Sequence, residues 1–152
     1  MALSLNVNGD RRASLADPVT PLVDVLREEF HLTGVKPVCR EGFCGACMVL
    51  VDDQPTLSCL MPAALAQDCE IRTVEGLAAH GTLNPIQEAL EACDAVQCGM
   101  CFPGMVVTLT HLLTATPGAT RGDIRAALTG NICRCTGYEH IVEAAVRALA
   151  AT

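Results

Sequence analysis

Residues 39–47 read Cys-Arg-Glu-Gly-Phe-Cys-Gly-Ala-Cys, and a further cysteine, Cys59, follows downstream. Three cysteines separated by four and then by two residues, with a fourth beyond them, form the plant-type ligand pattern of a [2Fe–2S] cluster. Gly42 and Gly45 lie inside this stretch. Glycine adopts positive φ without steric cost, so the backbone can curl closely around a compact inorganic group. The sequence therefore predicts one cluster whose ligands are Cys39, Cys44, Cys47 and Cys59.

A second set of four cysteines lies in the other half of the chain. Residues 97–104 read Gln-Cys-Gly-Met-Cys-Phe-Pro-Gly, and residues 130–138 read Gly-Asn-Ile-Cys-Arg-Cys-Thr-Gly-Tyr. Clustered cysteines in a reducing compartment are more often metal ligands or redox groups than disulfides. We therefore expect a second metal site whose ligands are Cys98, Cys101, Cys133 and Cys135.

Other roles for the two cysteine sets stay open from the residues alone. Cys-x2-Cys pairs occur in structural zinc sites and in redox dithiols. Zinc is disfavoured by the four-residue gap between Cys39 and Cys44 and by the Cys-x-Cys spacing at 133–135. A redox-dithiol role would use only the Cys-x2-Cys pair and would leave the other two cysteines of each set unexplained. Rieske ligation needs histidines placed close to cysteines, and none of the four histidines has that placement: His31, His80, His111 and His140.

Two cysteines belong to neither set. Cys69 alternates with Ile71 in a predicted strand, and Cys93 follows a helical run, so both are expected to be small buried apolar residues rather than ligands. The chain also contains no recognisable acid–base pair or nucleophile triad. We therefore predict no catalytic residue.

Composition narrows the class of protein. The 152 residues are 51% hydrophobic but only 3% aromatic, without tryptophan, so any core is built from Ala, Val, Leu and Ile. A net charge of −7 makes a nucleic-acid partner improbable. No apolar stretch approaches the roughly 18 residues of a membrane span, and the first residues lack the pattern of a secretory signal. We expect a soluble, cytoplasmic protein.

Hydrophobic periodicity predicts an α+β architecture with two domains. In residues 1–75, Asn8-Gly9 is the turn of a β-hairpin that extends to about Leu15. Thr20 is the expected N-cap of a helix that runs from Pro21 through Phe30 and ends near Thr33-Gly34. Further strands are predicted at Cys47–Val51, Thr56–Ser58 and Glu70–Val74. A sheet crossed by one helix is typical of a β-grasp, plant-type ferredoxin-like domain.

No strand pattern returns after this point. Residues 76–83 are expected to form a linker, and residues 84–152 a small all-α domain of four helices. Asn84-Pro85 is the predicted start of the first helix. The helices are expected at about 85–93, 103–115, 121–128 and 138–150, with the second cysteine set at helix ends.

The cysteine strings, in this order, resemble those of the small [2Fe–2S] iron–sulfur subunit of the molybdenum hydroxylase family, which includes xanthine dehydrogenase, aldehyde oxidase and carbon monoxide dehydrogenase. The resemblance covers nearly the whole chain. It implies two [2Fe–2S] clusters, one in the β-grasp domain and one in the helical domain. It also implies two partners, a large subunit that binds molybdopterin and a medium subunit that binds FAD.

The resemblance further implies roles for particular residues. The cluster of Cys98, Cys101, Cys133 and Cys135 would face the molybdopterin, and the other cluster would face FAD. Gln97 would hydrogen-bond the pterin, although a helix-end cap is an alternative role for this residue. Met48 and Phe102 replace the threonine that many relatives carry after the cysteine, which makes it unsafe to transfer a reduction potential.

The expected function is therefore electron transfer within an enzyme that oxidises an N-heteroaromatic compound, an aldehyde or carbon monoxide. Two other functions remain open from the sequence. One is a free-standing carrier with two clusters, and the other is a redox sensor whose clusters regulate a partner. Neither the substrate nor the final electron acceptor follows from the residues.

Overall fold

The computed structural model describes residues 2–78 and 81–151, and these residues form two separate hydrophobic cores. The first lies between a β-sheet and a short helix, and the second lies among four helices. Both cores consist mainly of aliphatic side chains, as the low aromatic content of 3% predicts. The largest fully buried side chains are leucine, isoleucine, methionine and valine.

The first half of the chain forms a mixed five-stranded sheet with strand order β2-β1-β5-β3-β4. Strands β1 and β5 are parallel, and the other neighbouring pairs are antiparallel. Asn8 and Gly9 form the tight turn of the first hairpin, both with positive φ. One helix packs against the sheet, so the β-grasp prediction is confirmed. The strands are β1 Leu3–Val7, β2 Asp10–Ser14, β3 Met48–Val51, β4 Gln54–Leu57 and β5 Glu70–Arg72.

The helix of this half begins later than predicted, and Thr20 is not its N-cap. Helix α1 spans Leu22–Asp24, and its N-cap residue, Pro21, has extended backbone angles. The cause is tertiary, because Pro21 forms a β-bridge with Pro62 and the Leu22 N–H donates to the carbonyl of Met61 at 2.8 Å. This pairing keeps the residues before Leu22 extended, despite a sequence that favours a helix start.

The same helix also ends earlier than predicted. After α1 the chain continues as a single π-helical segment, Val25–Glu29, in which the Phe30 N–H donates to the carbonyl of Val25 at 3.2 Å. His31 then has a φ of 58°, which a helix cannot accommodate. The chain therefore leaves the helix before Thr33, where the sequence pattern placed the end.

The second half of the chain consists of four helices, as predicted, with bounds that differ by about one residue. Asn84 and Gln87 form a reciprocal capping box at the first helix, with two hydrogen bonds of 2.9 Å. Tyr138 lies outside the last helix because its φ is 69°. No helix of the described residues is long and apolar enough to cross a membrane. The helices are α2 Pro85–Ala92, α3 Phe102–Ala115, α4 Arg121–Ala127 and α5 Glu139–Ala150.

The predicted linker, 76–83, includes residues 79 and 80, which lie outside the described residues; one of them is His80. Just before them, Val74–Leu77 forms a 3-10 helix after β5. The side chains of Val74 and Leu77 pack against the helical core. The domain bounds themselves stay a prediction.

The two halves meet through glycine backbone. A Cβ on Gly104, in α3, would overlap the carbonyl oxygen of Gly45 in the first cysteine loop. A Cβ on Gly45 would in turn overlap the carbonyl oxygen of Gly130, before the second cysteine pair. Side chains are therefore excluded where the first cysteine loop touches the helical half.

This contact generates a test of how the halves are joined. Gly104→Ala should lower the free energy of unfolding by roughly 1–3 kcal/mol, as overpacking does, although alanine is the better helix former by about 1 kcal/mol. Gly130→Ala is the matched control, because its added Cβ has no neighbour within 4 Å. Thermal or denaturant unfolding measures both. Equal stability of the two variants would contradict the close contact.

Candidate metal centres

The first cysteine set lies where a loop and a β-hairpin converge. Cys47 directly precedes β3, and Cys59 follows the end of β4. The antiparallel β3–β4 pair therefore holds these two residues next to each other, and their thiols interact. Ser58 fixes the junction, because its hydroxyl donates to the Cys47 carbonyl at 2.6 Å.

The other two cysteines of this set belong to the loop itself. The loop curls through left-handed backbone at Gly42 and Gly45, with φ of 79° and 71°, as the sequence predicts. This curl brings the thiols of Cys39 and Cys44 together. Leu60 covers the loop, since a Cβ on Gly42 would overlap its side chain.

A bidentate ion pair attaches the same loop to the helix. The guanidinium of Arg40 donates to both carboxylate oxygens of Asp24, at 2.8 and 2.9 Å. One residue on, the Glu41 N–H donates to Cys39 Sγ at 3.4 Å. The loop therefore has a defined shape, and it directs a backbone donor at a sulfur, as iron–sulfur ligands require.

The second cysteine set lies where the ends of helices meet. Cys101 is the N-cap residue of α3, and the Cys133–Cys135 segment precedes α5. Cys135 Sγ donates to Cys98 Sγ at 3.6 Å, and the thiols of Cys101 and Cys133 interact. All four line one cavity, together with Gln97 and Gly99.

Both sets thus consist of two pairs of thiols. A tetrahedral zinc site needs four ligands that converge on one ion. Among residues 2–78 and 81–151, no three Cys, His, Asp or Glu side chains converge in this way. A [2Fe–2S] cluster instead takes two of its four thiolates on each iron. The pairing therefore fits two irons per set, with pairs Cys39/Cys44, Cys47/Cys59, Cys98/Cys135 and Cys101/Cys133.

The thiols differ in how readily they lose a proton. Burial raises the pKa of Cys47 to about 11 and that of Cys101 to about 12. Burial of Cys39 also raises its pKa, but hydrogen bonds, first from the Glu41 N–H, bring it down to about 6. Metal ligands must be deprotonated. The buried thiols therefore depend on a cation to become thiolates near neutral pH, and binding releases their protons.

The remaining two cysteines lie apart from these pairs. The Cys69 thiol donates to the carbonyl of Leu65 at 3.8 Å, and Cys93 is the C-cap residue of α2. Both are half-buried at the edge of a core, so the expectation that they are buried residues is wrong. Cys69 also precedes β5 and does not belong to the strand.

The predicted pterin contact, Gln97, is exposed beside Cys98 and lines the cavity of the second cysteine set. Helix α2 ends at Ala92 and α3 begins at Phe102, with Cys101 as its N-cap, so Gln97 caps neither helix. The helix-end role is therefore wrong. Gln97 remains available to a partner next to the cysteine pair.

Sequence reasoning missed three polar residues that support the second set. Asn131 and Thr108 are buried and hydrogen-bonded to each other, and the Tyr138 hydroxyl accepts from the Cys133 N–H at 2.8 Å. No periodic pattern marks them. The only available signal was the polar character of Asn131. Polar character alone does not show whether an asparagine is buried or lies in an exposed loop.

Comparison with known proteins places this geometry in a family. The family described as "2Fe-2S iron-sulfur cluster binding domain" matches residues 5–80, and "[2Fe-2S] binding domain" matches residues 73–146. The nicotinate dehydrogenase small FeS subunit of Eubacterium barkeri is 44% identical over 147 residues, which cover 97% of this chain and 93% of the relative.

Solved structures agree with this match. Quinoline 2-oxidoreductase from Pseudomonas putida 86 superposes with a TM-score of 0.95 at 41% identity, over 99% of this chain and 94% of that one. The aldehyde oxidoreductase of Desulfovibrio desulfuricans ATCC 27774 gives 0.94 at 39% identity, over 99% of this chain but 17% of that one. The same unit is therefore one part of a much longer chain in that enzyme.

The fold and the paired cysteines define a protein with two [2Fe–2S]-binding domains. More particularly, the chain belongs to the small iron–sulfur subunits of the molybdenum hydroxylase family, to which xanthine dehydrogenase belongs. Such subunits are non-catalytic parts of oxidoreductases, in agreement with the lack of an acid–base pair in the sequence.

The ligand assignment can be tested by substitution. Cys47→Ser should remove one cluster and about half of the visible absorption, because one iron loses a thiolate. The matched variants are Cys69→Ala and Cys93→Ala, which should keep full iron content and lower stability by only about 1 kcal/mol. Iron analysis and visible spectra measure this. Bleaching in either matched variant would refute the assignment.

Proposed function

We propose that this chain is the electron-transfer subunit of a cytoplasmic molybdenum hydroxylase. In this proposal a large partner subunit binds molybdopterin and oxidises the substrate. The small subunit then passes electrons through two [2Fe–2S] clusters to FAD on a medium subunit, or to another acceptor. The ligands are the two predicted sets, Cys39, Cys44, Cys47 and Cys59, and Cys98, Cys101, Cys133 and Cys135.

The direction of electron flow is part of the proposal. The set that contains Cys98 faces the molybdopterin, because Gln97 beside it is exposed and carries an amide able to hydrogen-bond a pterin. The set that contains Cys39 faces outward to FAD. Each cluster, when bound, accepts and releases one electron. The protein supplies the thiolates, the backbone donors and the fixed spacing.

The observation that carries this proposal is the exposure of large apolar side chains around both cysteine sets. Of the exposed large apolar residues, six lie within two positions of a predicted ligand, three at each set. Exposed apolar groups that cluster on a soluble protein mark interaction sites. Both sites are thus ringed by groups that a partner would cover: Val38, Phe43 and Leu60 at the first, and Val96, Met100 and Ile132 at the second.

This feature separates the proposal from its two alternatives. A free carrier that meets partners transiently needs only a small contact area, so apolar groups around both sites would bring no advantage and would favour aggregation. A redox sensor needs one cluster that responds to its surroundings. Two rings, one at each set, fit a subunit placed between two partners.

The names of the relatives favour one substrate class. Nicotinate and quinoline are N-heteroaromatic compounds, and the relatives that act on them match this chain over more than nine-tenths of its length. We therefore place N-heteroaromatic compounds ahead of aldehydes and carbon monoxide as the substrate of the complex.

The proposal predicts which proteins co-purify with the tagged chain from its native host. A molybdenum-containing large subunit should be recovered in stoichiometric amount, and substrate should reduce the clusters of the complex. Leu60→Glu should weaken recovery of the FAD subunit, because it charges the ring at the first set. Val96→Asp should weaken recovery of the molybdenum subunit.

Matched controls lie outside the two rings. Leu65 and Val19 are exposed to 67% and 74%, and neither lies within five positions of a proposed ligand. Leu65→Glu and Val19→Asp therefore introduce the same charges outside the two cysteine sets. Iron content measured on every variant shows whether the clusters are retained. Recovery of the wild-type chain alone, fully loaded and active as a diffusible donor, would overturn the subunit assignment in favour of the carrier.

A further inference from the structure

Asn131 is a buried polar residue between the two cysteine sets, only 2% exposed. Each of its hydrogen-bonding groups has a partner. Its N–H donates to the Leu128 carbonyl at 3.0 Å, and its carbonyl accepts from the Tyr138 hydroxyl at 3.1 Å. Its side-chain amide donates to the Gly45 carbonyl at 3.3 Å and accepts from the Thr108 hydroxyl at 2.9 Å. Because both ends of the buried amide are hydrogen-bonded, the side chain has one orientation.

The next residue makes a direct backbone link between the two sets. The Ile132 N–H donates to the carbonyl of Cys44 at 2.8 Å. Cys44 is a proposed ligand of the first cluster, and Ile132 precedes Cys133, a proposed ligand of the second. One hydrogen bond therefore completes a continuous bonded path from a thiol of one set to a thiol of the other.

The neighbours of Asn131 hold this link from both sides. On one side, the hydrogen bond from the Asn131 side-chain amide to the Gly45 carbonyl holds the residue that follows Cys44. On the other, the Tyr138 hydroxyl connects the Asn131 carbonyl with the Cys133 N–H. Movement of Asn131 would thus change the position of Ile132 relative to Cys44, while each cysteine set could still keep its own internal pairs.

We propose that Asn131 is a positioning residue that holds the Cys44–Ile132 hydrogen bond as the route of the electron between the two clusters. This inference rests on the proposed function, because it assigns a path within the relay. With both clusters bound, the one held by Cys133 would lose one electron and the one held by Cys44 would gain it. No bond forms or breaks, and no proton moves.

Two substitutions should slow this step without removing a ligand. Asn131→Ala deletes the donor to Gly45, so the two cysteine loops lose the side-chain hydrogen bond that joins them. Thr108→Val deletes only the hydroxyl that orients the Asn131 amide, at nearly unchanged volume. Thr114→Val is the matched control in the same helix, since the Thr114 hydroxyl donates to the Thr110 carbonyl at 2.9 Å, away from the loops.

The experiment uses the full chain loaded with both clusters. Iron content is measured first. A flash-generated deazaflavin radical then delivers one electron per chain, and freeze-quenched EPR spectra follow its exchange between the two cluster signals. Hydrogen exchange of the peptide that contains Ile132, measured by mass spectrometry, reports separately on the Cys44 bond. We expect Asn131→Ala to slow electron exchange between the clusters about tenfold and to speed deuterium uptake at the Ile132 peptide. Thr108→Val should likewise slow electron exchange and speed deuterium uptake. Thr114→Val should match wild type.

Wild-type rates in both Asn131→Ala and Thr108→Val, at full iron content, would overturn the inference while leaving the relay intact. If Asn131→Ala fails to hold its clusters, Thr108→Val decides the question in the same way. A wild-type chain with two clusters that never exchange an electron would instead refute the proposed relay itself.

Discussion

Eight thiols lie in four close pairs, and this pairing is the constraint on which the rest of the structure depends. Thiolates at a separation such as the 3.6 Å between Cys98 and Cys135 repel each other unless cations compensate their charge. Burial adds to the cost of ionising Cys47 and Cys101. Bound iron removes both penalties, so cluster binding and folding are coupled. Small aliphatic cores supply little stability of their own, so they gain most stability from a bound metal cluster.

The second constraint is the close approach of the two cysteine loops. Backbone can meet backbone only where side chains are absent, which explains Gly45 and Gly104 at the contact. Asn131 and Ile132 then join the loops by hydrogen bonds rather than by apolar packing. A polar junction of this kind keeps one geometry, whereas apolar contacts tolerate sliding. The junction thereby holds the two cysteine loops in one arrangement relative to each other.

Much of this could be predicted from sequence because the informative signals are local. Cysteine spacing indicated both sets, Asn8-Gly9 indicated the first hairpin, and Asn84 marked the start of a helix. The predictions failed where contacts between distant parts of the chain override local sequence preferences. Thr20 carries a helix-start signal that the bridge between Pro21 and Pro62 overrides. The role of Asn131 depends on Gly45, distant in sequence, so no local pattern could reveal it.

We infer from the pairing of the thiols that each set holds one two-iron cluster. The most direct measurement is EPR spin quantitation of the fully reduced chain, prepared anaerobically with iron, together with iron and acid-labile sulfide analysis. We expect about four iron and four sulfide per chain, and about two unpaired spins in two distinguishable signals. Stoichiometric zinc in place of iron, or a single signal from about two irons, would contradict it.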